Sequence, residues 1–468
     1  MADLKIYNVS GVNLKINPLA HQPGDLLRSV NLETFPTFAK RKRPGYTTYL
    51  GTMPNGSAVQ GLFNFSRNNG TQFWNYAFAG GLLYYSQQGT GDWTISSGGT
   101  FSAAGTITHA VLEDTLCVSD GVGSVFNTTT GTSFSGAAAS PVAVSLEEYH
   151  QRIYAAGTAS NLFWSNVGTP SDWTNDSSSV LVPGEGKLLS IFKSADRLVA
   201  TKNSGKMFRW DEFNLIDLST DLGPTSSSAI GNIEDYRIYP NRRGFYGYGG
   251  ERPELLSNAI ERQIYNDVGE GIVGTTFNTM PGTTHQYRYY ATIGTVTDDL
   301  TDETISDAIA VYDFQNNDWW NYKFANKPTA WLSFKDVNGN EQLVFGAADA
   351  QCYQIAGTAT TDNGASIETV MEGVIHAGAP DLSKDWRQIT ASFNPGAQAK
   401  IQVGLSDTFT KATKNWIDLG DTKDGVVTYH FPQGARSKLL FWKVYDSSRT
   451  ARYNLYGFSL DYDFVRNR

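Results

Sequence analysis

The chain has 468 residues, 40% of them hydrophobic, 13% aromatic and only 18% charged, a composition that excludes global disorder and supplies large cores. Its formal charge is −9, which argues against a protein that grips nucleic acid over its whole surface. No run approaches the ~18 apolar residues of a membrane-spanning helix, and the first residues lack the basic start and apolar stretch of a secretion signal, so the expected product is soluble and cytosolic.

In chain order, the first local feature is a short apolar stretch at 25–30 with helical spacing, followed by the dense basic run Lys40, Arg41, Lys42, Arg43 and the turn Pro44-Gly45-Tyr46. Two readings of that run stay open: a contact with phosphate or an acidic neighbouring subunit, or a solvated turn. Beyond it, stretches of β-branched and aromatic residues alternate with Gly, Asn, Asp, Ser or Pro every 8–12 residues or so, the mark of many short strands. Examples are 71–81, 82–86, 98–101, 107–112, 115–119 and 124–127. A second helical candidate, 254–267, places Leu255, Ile260 and Ile264 near one face.

The strands fall into a repeat of about 40 residues, the length of a four-stranded propeller blade. Seven units are expected, at 59–96, 105–134, 142–175, 187–219, 229–267, 282–324 and 330–356. Trp93, Trp173 and Trp319 each follow an Asp, as if several blades close with the same turn and an aromatic anchor that packs between neighbours. From about 366 the pattern changes to the alternating strands of a compact sandwich. The expected fold is therefore all-β: a lead-in segment 1–50, an irregular β-propeller of about seven blades over 51–365, and a jelly-roll-like β-sandwich over 366–468.

Catalytic signatures are missing from the sequence. The six histidines, His21, His109, His150, His285, His376 and His430, form no ligand pair, and Cys117 and Cys352 are expected to be buried fillers. There is no nucleophile elbow and no phosphate loop. The acidic stretch Asp298, Asp299, Asp302, Glu303, Asp307 does not follow the order of an EF-hand loop. No metal, no cofactor and no enzymatic activity are expected.

Three segments resemble the tail nozzle or tail accessory factors of short-tailed double-stranded DNA bacteriophages. Gly11, Asn13, Asn31, Arg41, Arg43, Pro44, Gly45 and Tyr46 match the segment that leads into the propeller in those proteins. The stretch 161–174, NLFWSNVGTPSDWT, and the stretch 257–265, SNAIERQIY, are similar to further elements of the same family. The long platform insertions of the larger nozzle proteins are absent. The resemblance implies a homohexameric ring in the virion tail, with adaptor proteins above, needle, spike or fibre proteins below, and DNA passing through without specific binding. It brings no catalytic residues. Lys40, Arg41, Lys42 and Arg43 are then the expected subunit or adaptor contact. A carbohydrate-binding or glycan-degrading propeller for host-surface recognition is the alternative, because Asp-Trp pairs on a propeller also invite comparison with sialidases.

Overall fold

A computed structural model describes residues 2–7, 9–14, 21–34, 39–68, 70–87, 91–174, 178–219, 221–264, 274–298, 303–408, 415–446, 448 and 453–465. The fold is all-β, and among these residues no helix is long and apolar enough to cross a membrane. Six sheets have the form of propeller blades. Five are four-stranded antiparallel meanders that begin at Val59–Arg67, Thr108–Leu112, Ala143–Tyr149, Leu188–Ser194 and Gly231–Ile233. The sixth is made of Pro328–Lys335, Glu341–Ala347 and Cys352–Ile355, and its next strand, Tyr46–Thr48, comes from the other end of the chain. Its first strand lies against Val59–Arg67 of the first blade, so the ring closes.

The repeat has a physical signature. The first hairpin carries a register shift near its start in the first, third, fourth and sixth blades, at Val59/Gly61, Ala143/Ser145, Leu188/Ser190 and Pro328/Ala330. An extra residue there increases the local twist that each blade needs to fan outward. The core is divided among the seams rather than gathered in one place. Phe63, Tyr76, Leu116 and Val118 join the first two blades, while Cys117, Ile153 and Trp173 join the second and third. Leu162, Ile191 and Trp210 join the third and fourth, and Trp93 with Tyr49 and Phe334 fills the closing seam.

Between the fifth and sixth blades stands a further meander, Gly282–His285, Arg288–Asp298, Glu303–Asp313 and Asp318–Lys323. It continues sideways into a nine-stranded sheet, because Leu26–Val30 runs parallel to its last strand and antiparallel to Thr369–Ile375. Leu439–Asp446, Lys400–Ser406 and Trp416–Asp421 complete that sheet. A seven-stranded sheet built on Lys384–Phe393 and Asn454–Phe464 also takes in Ala2–Ile6, Leu32–Thr34 and Lys40–Lys42. The two sheets share one apolar cluster, with Met371, Val403 and Trp442 from one and Trp386, Ile389 and Leu460 from the other.

Two local expectations are corrected. Residues 26–30 form a strand rather than a helix, because Leu26, Leu27, Ser29 and Val30 are buried on both faces between two neighbouring strands. In the second helical candidate, Glu254–Leu255 is an edge strand, Ser257–Ile260 a 3-10 turn and Glu261–Ile264 a single helical turn; residues 265–267 lie outside the described residues. Both cysteines are buried and free, as expected. Trp319 packs on Phe245 of the fifth blade, 5.1 Å between ring centroids, so it bridges adjacent meanders as Trp93 and Trp173 do.

Candidate functional site

The basic run is an inner strand of the seven-stranded sheet. Lys40–Lys42 pairs with Leu32–Thr34 on one side and with Asn454 and Leu455 on the other. Lys40, Lys42 and Arg43 are buried, with 0–2% of their surface exposed. The expected subunit or adaptor contact is therefore corrected for these three residues: a neighbour cannot reach them, and their charges are met within the chain. Lys42 Nζ donates to Asp446 Oδ2 at 3.0 Å and to the Ser448 carbonyl at 2.7 Å. Lys40 Nζ donates to Thr34 Oγ1 at 2.6 Å and lies 3.7 Å from Asp318. Burial lowers the Lys40 pKa to about 8, against the opposing pull of Asp318.

Arg43 is the hub. Nη1 and Nη2 form a two-pronged pair with Asp362 at 2.7 and 2.6 Å, and Nε donates to Asn31 Oδ1 at 2.8 Å. The carbonyls of Lys323 and Pro44 take further N–H groups, so the five guanidinium donors are matched. The planar group lies over Phe324, 4.4 Å from its ring centroid. This one side chain thus ties Asn31, the end of the meander 282–323 and Asp362 together. Gly45 permits that crossing, since a Cβ there would sit 2.0 Å from the Thr361 carbonyl oxygen.

Arg41 is the partly exposed member and borders a cavity of about 400 Å³ with Glu33, His285, Arg288, Tyr290 and Glu341. Glu33 Oε1 accepts from Arg41 Nε at 2.6 Å, and Oε2 accepts from Arg288 Nη1 at 2.7 Å and from the Tyr322 hydroxyl at 3.3 Å. Both carboxylate oxygens are thus engaged by donors. Burial, with the charge of Glu33 beside it, pushes the Tyr322 phenol well above its ordinary range, which keeps it protonated. An ion-paired carboxylate and a protonated phenol brace this cavity and offer no ready base or nucleophile.

The centre of the ring holds a second cavity, about 740 Å³, bordered by Gln60, Thr106, His109, Glu147, Ser228 and Arg237 among others. Burial raises Glu147 to about 7, against the pull of Arg237, and lowers His109 to about 4. The volume is that of a small-molecule site, far below what a DNA duplex requires. Among the described residues no group of three His, Cys, Asp or Glu could hold a metal ion. In the acidic stretch, Asp307 pairs with Lys327 at 3.1 Å, and Asp299 and Asp302 lie outside the described residues.

The sequence reading singled out the basic run but missed its partners, and it had no signal for Arg288 or Glu33. No protein-family model matches the chain, and no curated protein matches it. Among solved structures, the computationally designed Ika8 protein is similar at 12% identity and a TM-score of 0.41, over 66% of this chain and 99% of that one. YCF48 bound to D1 peptide is similar at 10% identity and a TM-score of 0.42, over 65% and 95% of the two chains. YCF48 from Cyanidioschyzon merolae is similar at 11% identity and a TM-score of 0.41, over 66% and 98%.

Proposed function

We propose that the chain is a structural protein of a bacteriophage virion tail, a nozzle-like connector that forms a ring and prolongs the DNA ejection channel below the portal and adaptor. The supporting observation is the way residues 2–48 supply strands to the closing blade and to both large sheets, pinned by buried ion pairs at Lys42 and Arg43. Such weaving turns the propeller and its neighbour into one stiff body, suited to bear load between tail parts. In this reading the meander 282–323 is a seventh blade, and the two sheets that dominate 366–468 form a jelly-roll-like sandwich. The chain acts as a homohexamer in the virion tail and has no enzymatic activity and no cofactor. Adaptor proteins sit above it, and needle, spike or fibre proteins below.

The central cavity is too small for a duplex, so DNA passes along the axis of the hexamer, outside the individual propeller. A net charge of −9 on each subunit repels phosphates and keeps that passage free of adhesion. Negative-stain microscopy and mass photometry of the purified chain, alone and with its adaptor complex, test the reading. Sixfold rings, or docking beneath the adaptor, are expected; a monomer that ignores the adaptor overturns it.

A further inference from the structure

We propose that the seam between the second and third blades is a binding site for a neutral oligosaccharide. The proposal goes beyond the connector reading and does not depend on it. A cavity of about 630 Å³ lies there, bordered by Pro141 and Val142 of the inter-blade link, by Thr158, Asn161 and Phe163 of the third blade, and by Trp173 and Ser179. This volume falls within the ~300–1,000 Å³ of ordinary ligand sites. The main chain holds its wall in place: Trp173 N donates to the Ala138 carbonyl at 3.2 Å, and Ala138 N donates to the Ser171 carbonyl at 3.1 Å. Gly157 leaves room for the Phe163 ring, since a Cβ there would lie 2.7 Å from Cε2 of that ring.

The chemistry of the lining selects the ligand. No residue bordering the cavity is ionisable, so a phosphate, sulfate or carboxylate entering it would lose water without gaining a counter-charge. Phe163 and Trp164, both half-buried at its border, offer apolar faces of the kind on which the C–H side of a sugar ring packs, and the Thr158 and Ser179 hydroxyls and the Asn161 amide can bond its hydroxyls.

The test is titration of the full chain with maltotriose, cellotriose, chitotriose and mannotriose, read by tryptophan fluorescence and by saturation-transfer NMR, with 3′-sialyllactose as the charged comparison. At least one neutral trisaccharide is expected to bind below ~10 mM, with sialyllactose at least about tenfold weaker. Phe163→Leu, which removes a flat ring at a half-buried position, is expected to weaken binding about tenfold. Asn161→Ala should weaken binding likewise, and Ala159→Arg, at an exposed position on the rim, should abolish it without disturbing the core. The proposal is overturned if none of the four sugars binds, if sialyllactose binds equally well, or if binding survives Asn161→Ala and Ala159→Arg.

Discussion

Arg43 and Asp362 place two opposite charges in the interior, at 1% and 3% side-chain exposure, so removing one is far worse than removing both. Asp362→Ala leaves a buried guanidinium unmatched and is expected to cost about 3–5 kcal/mol, whereas Arg43→Met together with Asp362→Leu should cost much less. Urea denaturation of the three proteins measures both. Lys40 gives a pH signature. Its folded pKa of about 8 lies below the ~10.4 of an unfolded lysine, so between those values the unfolded state binds the extra proton and stability rises with pH. Relative to Lys40→Met, which cannot titrate, the native chain is expected to gain up to about 3 kcal/mol across that window. Parallel melts at several pH values read the difference. These residues were visible in the sequence as a cluster, and their burial was not, because Asp362 and Asp446 lie 319 and 404 residues away from their partners.

At the scale of the element, six hairpins share one turn in which both central residues have positive φ, two of them with glycine, at Gly80-Gly81 and Asn363-Gly364, and four without. The four without are Glu113-Asp114 at 48° and 60°, His150-Gln151 at 47° and 59°, Ala195-Asp196 at 47° and 53°, and Gln286-Tyr287 at 49° and 60°. This is the turn whose twist matches paired strands, and its usual residues are Asn-Gly. Here none of the four has that sequence, which is why the strands were legible and their hairpins were not. Glu113 is exposed and pays the left-handed penalty without compensation, so Glu113→Asn is expected to stabilise by about 1 kcal/mol, measured by thermal unfolding. The Asp-Trp pairs were legible for a better reason: a large ring in each must be covered, and only a neighbouring meander can cover it. The strand 26–30 was misread because apolar residues buried on both faces leave no alternation to distinguish strand from helix.

For the whole molecule, the consequence of the weave is cooperativity. Separate units would unfold in separate steps, but here strands from residues 2–48 pair with strands near 320, 353, 370 and 460. Differential scanning calorimetry is therefore expected to give one transition, with calorimetric and van't Hoff enthalpies in agreement. Two resolved peaks would show that the shared segment does not couple the parts. The all-β architecture was legible from strand spacing alone. The mutual dependence of its parts was not, since it rests on pairings between opposite ends of the chain, and single-sequence patterns carry no information about those.

The order of synthesis adds a last consequence. Tyr46–Thr48 leaves the ribosome early, yet its partner Cys352–Ile355 is made about 300 residues later, a wait of roughly 15–60 s at typical elongation rates. Throughout that interval the segment that closes the ring has no partner. The first blades can form one by one beside it, and the final pairing seals them all at once. A newly made chain is thus exposed to aggregation for as long as it waits for Cys352–Ile355, and slowing translation between the two strands is expected to lower the yield of folded protein.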